Sequence, residues 1–140
     1  MKKILALIIF SISLPAYCEV SQEDYCFSPV GGNASRFELR TYFDDSVKWS
    51  GAFVKYEKSK ELIPLVLADF KEDPTTEGRP SELTAKWLEV SKGAITGEYE
   101  MVSQGGNIES MSYKNYRSQK TSDFEFDINA KPTKGMGCDW

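Results

Sequence analysis

Three cysteines, Cys18, Cys26 and Cys138, are the clearest candidates for chemistry in a chain that contains no histidine at all. Without an imidazole, Ser-His-Asp and Cys-His catalysis are excluded, and so are the usual zinc sites built on His and Cys. Thiol pairing, carboxylate chemistry and hard-cation binding remain open. Cys26 lies toward the N-terminus and Cys138 two residues from the C-terminus, so a bond between them would clasp the whole domain. Closing a loop of about 110 residues restricts the unfolded chain and is worth roughly 4–5 kcal/mol.

Whether Cys18 competes for that bond depends on the first eighteen residues. Lys2 and Lys3 precede the uncharged apolar run Ile4 to Leu14, and Pro15 breaks it before small residues. This is the layout of a secretory signal peptide, too short to span a bilayer. Tyr17, directly before Cys18, is not the small residue that lipoprotein processing requires. Cleavage after Ala16 would keep Cys18. Cleavage after Cys18 puts Ala16 and Cys18 at the two small-residue positions and discards the odd thiol. The second is favoured: a signal peptide at 1–18, then a single domain at 19–140 working in the periplasm, where a Cys26–Cys138 bond is permitted. The bacterial compartment is read from the short Met-Lys-Lys start.

Carboxylates offer the next chemistry. Asp123, Glu125 and Asp127 alternate in DFEFDIN, and Glu98 and Glu100 would lie beside them if the segments pair. Such a cluster could hold Ca²⁺ or supply a glycosidase acid–base pair. A solvated strand face that discourages edge pairing explains the same pattern, and no calcium-loop spacing is present. No metal, cofactor or catalytic residue is therefore expected, and the chain reads as a non-enzyme. Asp44, Asp45 and Ser46 read as a turn, where Asp bonds its own backbone.

Tryptophan and tyrosine are abundant for so small a domain. Phe37, Phe43, Phe53, Phe124 and Phe126 supply much of a core, leaving Trp49, Tyr56, Trp87, Tyr113 and Tyr116 as candidate partner or ligand contacts. Tyr113 and Tyr116 cannot share a face of a regular strand, so at least one faces water or a partner. The Ser, Asn, Tyr and Gly of SQGGNIESMSYKNY suit an adaptable contact surface, although turn chemistry also explains them.

The elements that must position these residues are strands. RFELRTYF sets Phe37, Leu39, Thr41 and Phe43 on one side and Glu38, Arg40 and Tyr42 on the other. In VKWSGAFVKYE, Val47, Trp49, Gly51 and Phe53 align, while Val54 and Tyr56 lie opposite, which suggests a bulge or bend at Gly51. ELIPLVLADF is apolar on both faces, and Pro64 asks for an edge or bulge site. Lys71 to Glu82 is the longest loop. After it, AKWLEVS reads as a strand turning at Lys92-Gly93; alternatively Ser81 caps a short helix near 81–91 that places Leu83, Trp87 and Val90 on one face. AITGEYEMVS, NIESMSYKNY and DFEFDIN read as three antiparallel strands, with Phe124, Phe126 and Ile128 pointing inward. Six to eight strands joined by tight turns imply an all-β antiparallel barrel or sandwich with a meandering C-terminal half.

WSGAFVKY resembles the S-G-x-K/R-Y signature of the periplasmic C-type lysozyme inhibitors of the membrane-bound lysozyme inhibitor type. Ser50, Gly51, Lys55 and Tyr56 match, with two extra residues between glycine and lysine, and that family's second, tryptophan- and lysine-containing motif has no counterpart. The resemblance implies a small exported barrel with a disulfide, and adds Ser50 and Lys55 to the candidate contacts.

Net charge is −4, and becomes −6 once Lys2 and Lys3 are removed. That balance argues against nucleic acid, which needs clustered Lys and Arg. The expected activity is that of an exported binding protein that inhibits or neutralises a protein partner, such as a basic cell-wall hydrolase or a toxin. Two alternatives stand beside it: a barrel holding an apolar or carbohydrate ligand with Trp49 or Trp87 at its mouth, and a structural envelope protein.

Overall fold

Alternating side chains produce eight antiparallel strands, and the strands close into a barrel. The computed structural model describes residues 20–131 and 135–140, so the signal peptide expected at 1–18 and the fate of Cys18 lie outside the described residues. In order the strands are β1 (Val20–Pro29), β2 (Phe37–Asp44), β3 (Trp49–Tyr56), β4 (Ile63–Asp73), β5 (Glu82–Ser91), β6 (Ala94–Gln104), β7 (Asn107–Asn115) and β8 (Thr121–Phe126). Each pairs with the next, and β1 pairs with β8. The barrel, rather than the sandwich, is the architecture.

Residues 82–91 are strand, not the helix that Ser81 could have capped. Leu83, Ala85, Trp87 and Glu89 face the interior, so the segment's period is two, obscured in the sequence by a charged residue on the inner face. Two hairpins turn on two residues each, Lys92-Gly93 and Gly105-Gly106, all four with positive φ. Such turns match the twist of the flanking strands, and glycine adopts them without steric cost.

No bulge occurs at Gly51: β2 and β3 pair without a break from Phe37↔Tyr56 to Asp44↔Trp49. The glycine instead makes room for Trp49 on the same outer face, where a Cβ would sit 2.5 Å from the indole. Pro64 lies at the start of β4, where pairing with β3 covers only Ala52↔Leu65, Phe53↔Pro64 and Val54↔Ile63. The β1–β8 closure is equally short, from Phe27↔Phe126 to Pro29↔Phe124. β8 ends at Phe126 because Asp127 caps a single 3₁₀ turn, Ile128–Ala130, by accepting from the backbone N–H groups of Asn129 and Ala130. Ile128 is thereby turned outward and is exposed rather than inward.

Phe37 is the hub of the core. Its ring lies 5.2 Å from Phe27, 4.8 Å from Phe124 and 5.4 Å from Tyr99. Leu39, Val54, Leu65, Met101 and Met111 fill the rest. Two of the expected core rings stay out of it. Phe43 is exposed, and Phe53 lies on the outer face with the Arg40 guanidinium 5.2 Å from its ring centre. Outside the barrel, Cys26 bonds to Cys138 and holds the C-terminal tail against β1 and β2. The Asp139 N–H donates to the Ala130 carbonyl at 2.7 Å. Glu38, on the outer face of β2, is buried beside Gly137 and paired with Arg40 at 2.8 Å. Arg40 also bonds Asp24. No helix among the described residues is long and apolar enough to cross a membrane.

Candidate functional site

The two ends of the barrel differ in chemistry. One end is plugged by hydrogen-bonded tyrosines and the other opens into an apolar cup.

At the plugged end, alternation along β5 turns Glu89 into the interior, where only 6% of the residue is exposed. Strand register brings donors to it from three directions. Thr96 Oγ1 donates at 2.6 Å, Tyr99 at 3.0 Å and Tyr113 at 3.2 Å. Tyr56 and Tyr99 join their hydroxyls at 2.7 Å. Tyr99 has one proton and gives it to Glu89, so Tyr56 is the donor in that pair. Burial raises the pKa of Tyr99 well above the ordinary tyrosine value, and the neighbouring Tyr56 and Glu89 raise it further. Burial is also the first cause of the upward shifts of Tyr113 and Tyr56, and the Glu89 charge adds to both. A buried carboxylate with three hydroxyl donors is satisfied, so this end is a structural lock. Gly97 makes the packing possible. A Cβ there would fall 2.6 Å from the Tyr113 ring and 2.7 Å from the Lys114 carbonyl oxygen. Gly97→Ala is expected to cost about 1–3 kcal/mol by overpacking, measured by urea unfolding.

At the open end, β3 and β4 diverge beyond Ala52 and Leu65. The gap leads into a cup of about 220 Å³ whose wall includes Thr41, Ser50, Leu67, Ala85, Trp87 and Met101, with Phe43 and Phe70 at its rim. Trp87 is 4% exposed, and its indole nitrogen is a buried side-chain polar atom with no hydrogen-bond partner among the described residues. Leaving such a donor unmade costs about 1–3 kcal/mol. Tyr25 also lines the cup and donates to Glu23. Its pKa is raised, by burial first and then by that bond.

The candidate contacts are therefore divided. Ser50 and Trp87 line the cup. Trp49 lies outside the barrel over Gly51 and is 53% exposed. Tyr56 and Tyr113 come together through Tyr99 and Glu89 at the plugged end. Lys55 is on the outer face in a groove with Lys60 and Gly137. Tyr116 follows β7 and donates to Glu98 at 2.8 Å. The matches of the lysozyme-inhibitor resemblance are thus spread over the interior, the outer face and the cup, and do not form one site. The carboxylates are also separated: β7 runs between β6 and β8, setting Lys114 opposite Glu98 and Ser112 between Glu100 and Asp123. Among the described residues no three metal-ligating side chains gather.

Comparison with known proteins gives no family model, no curated protein and no solved structure that matches the chain.

Proposed function

We propose that this is an exported, non-enzymatic binding protein whose open barrel end receives a small, mostly apolar molecule carrying one hydrogen-bond acceptor. The observation that carries this reading is the indole N–H of Trp87, without a hydrogen-bond partner among the described residues, in the wall of a mostly apolar cup. Eight-stranded barrels of this kind are either filled by side chains or hold one small ligand. A cavity of roughly 150 Å³ accepts benzene, so the cup fits about nine non-hydrogen atoms. An uncharged carbonyl or hydroxyl oxygen suits the donor, because Glu23 at the same cup disfavours a carboxylate. Export is supported by the basic-then-apolar start of the sequence, and a disulfide agrees with an oxidising compartment. The non-enzymatic reading rests on the absent histidine and the separated carboxylates.

Octan-2-one and nonane, equal in heavy-atom count, test the reading by native mass spectrometry and tryptophan fluorescence. The ketone is expected to bind more tightly, and Trp87→Phe to weaken it roughly three- to tenfold while leaving the alkane unchanged. Failure of both molecules to bind would reject the site. Equal binding of the two, unaffected by Trp87→Phe, would reject the acceptor.

A protein partner is the second reading, favoured by Trp49, an exposed indole on the outer face near the acidic turn Asp44-Asp45. Such a partner would be basic, as a cell-wall hydrolase is, and Trp49 would be the anchoring side chain. Inhibition of a C-type lysozyme, abolished by Trp49→Ala, is the expected result. Unimpaired lysozyme turnover in the presence of excess protein would count against it.

A further inference from the structure

We propose that the chain self-associates by pairing the free edge of β4 with the same strand of a second copy. One side of β4 bonds to β5 from Leu65 to Asp73. The other side bonds to β3 only at Ile63, Pro64 and Leu65. From Val66 to Asp73 that edge pairs with no strand among the described residues, and residues 68–73 are all exposed. A strand edge of this kind presents unpaired N–H and C=O groups in register for another strand.

Charge identifies the occupant. Asp69 and Lys71 share the outer face and lie 3.7 Å apart. In an antiparallel pair centred on Phe70, Asp69 of each copy stands opposite the second copy's Lys71, giving two cross-strand ion pairs. Centring on Asp69 or on Lys71 would instead oppose like charges, which destabilises. The pattern is self-complementary in one register, as a two-fold interface requires. On the inner face, Phe70 meets the second copy's Phe70, which covers a side chain that is 55% exposed in the single chain. The β-bulge between Leu67 and Asp69 limits the regular pairing to a few residues. Association is therefore weak, and it weakens with salt.

Sedimentation equilibrium of the purified protein over a concentration series, at low and high salt, is the test. Asp69→Lys alone and Lys71→Asp alone are each expected to weaken self-association at least tenfold, because each opposes like charges. The two variant chains mixed are expected to associate with each other, since every Lys then faces an Asp. Thermal midpoints of the separate variants close to that of the natural chain show that the fold is kept, both positions being exposed. A protein that stays monomeric at every concentration overturns the proposal. So does a dimer indifferent to Asp69→Lys, or a pair of variants that fails to associate on mixing. Association of β4 with an added extended peptide but not with itself would also overturn it, and would assign the edge to a foreign strand. None of these outcomes depends on a ligand in the cup.

Discussion

Cys138→Ser is expected to lower the stability of the protein by about 4–5 kcal/mol, and its Tm by roughly 15–20 °C. The bond closes a loop of 112 residues, nearly the whole domain, so its removal releases the unfolded chain from its largest restriction. The native state loses something as well. The tail that Cys138 anchors covers the outer faces of β1 and β2, where Glu38 and Arg40 are paired beside Gly137. Freed, it lets water reach a carboxylate that now has little exposure. Urea unfolding with and without a reductant, on the natural chain and on the variant, checks both parts. Reduction of the natural chain and the substitution should produce similar losses, and reductant should not affect the variant further. A loss below about 1 kcal/mol would mean that the covalent closure contributes little beyond what the β1–β8 pairing already secures.

Stability is also expected to fall steeply above pH 10. An unfolded tyrosine releases its proton near pH 10. Tyr56, Tyr99 and Tyr113 have pKa values raised above that in the folded protein, first by burial and also by the Glu89 charge. Below pH 10 both states are protonated and the stability is complete. Above it the unfolded chain sheds protons that the folded chain keeps, so unfolding gains ground with each increment of pH. Tyr99, the most deeply buried of the three, contributes about 1.4 kcal/mol per pH unit in this range, and Tyr56 and Tyr113 add to the loss in the same direction. Urea midpoints from neutral to strongly alkaline pH, with tyrosinate absorbance read in parallel, give the test. The absorbance change should coincide with unfolding for these tyrosines, not precede it. Glu89→Ala takes the acceptor from Tyr99, Tyr113 and Thr96 together, and is expected to cost about 2–4 kcal/mol at neutral pH. Tyrosines that all ionise near pH 10 in a still-folded protein would contradict the buried network.

Strand periodicity makes most of the barrel legible in the amino-acid sequence. Phe37, Leu39 and Phe124 go inward as alternation requires, and Gly105-Gly106 forms the turn its chemistry allows. β1 is not legible in this way. Its segment is mostly polar, and Cys26 is buried on the outer face only because the tail returns to cover it. That return is a long-range event which no local pattern records. The segment 82–91 is ambiguous because Glu89 occupies an inward position, where an apolar residue would announce a strand. The same residue hides the tyrosine network. Tyr56, Tyr99 and Tyr113 sit on three strands and meet only through register, so their number suggests a contact surface although Tyr56 and Tyr113 turn to the interior. Trp87 is legible by type as a candidate contact, but it lies in the wall of the cup and not at its mouth, and its lack of a hydrogen-bond partner among the described residues depends on the packing around it.

The order of pairing has a consequence for how the chain reaches this state. Every pairing between strands but one joins neighbours in the sequence, and such hairpins form in about 1–10 μs with little loop entropy to overcome. The exception is the three-residue meeting of β1 with β8, which must wait until the intervening meander has curled round. Covalent closure of the two ends therefore completes the fold instead of guiding it. Backbone amides along that junction are the ones to exchange with deuterated solvent first when the thiols are reduced.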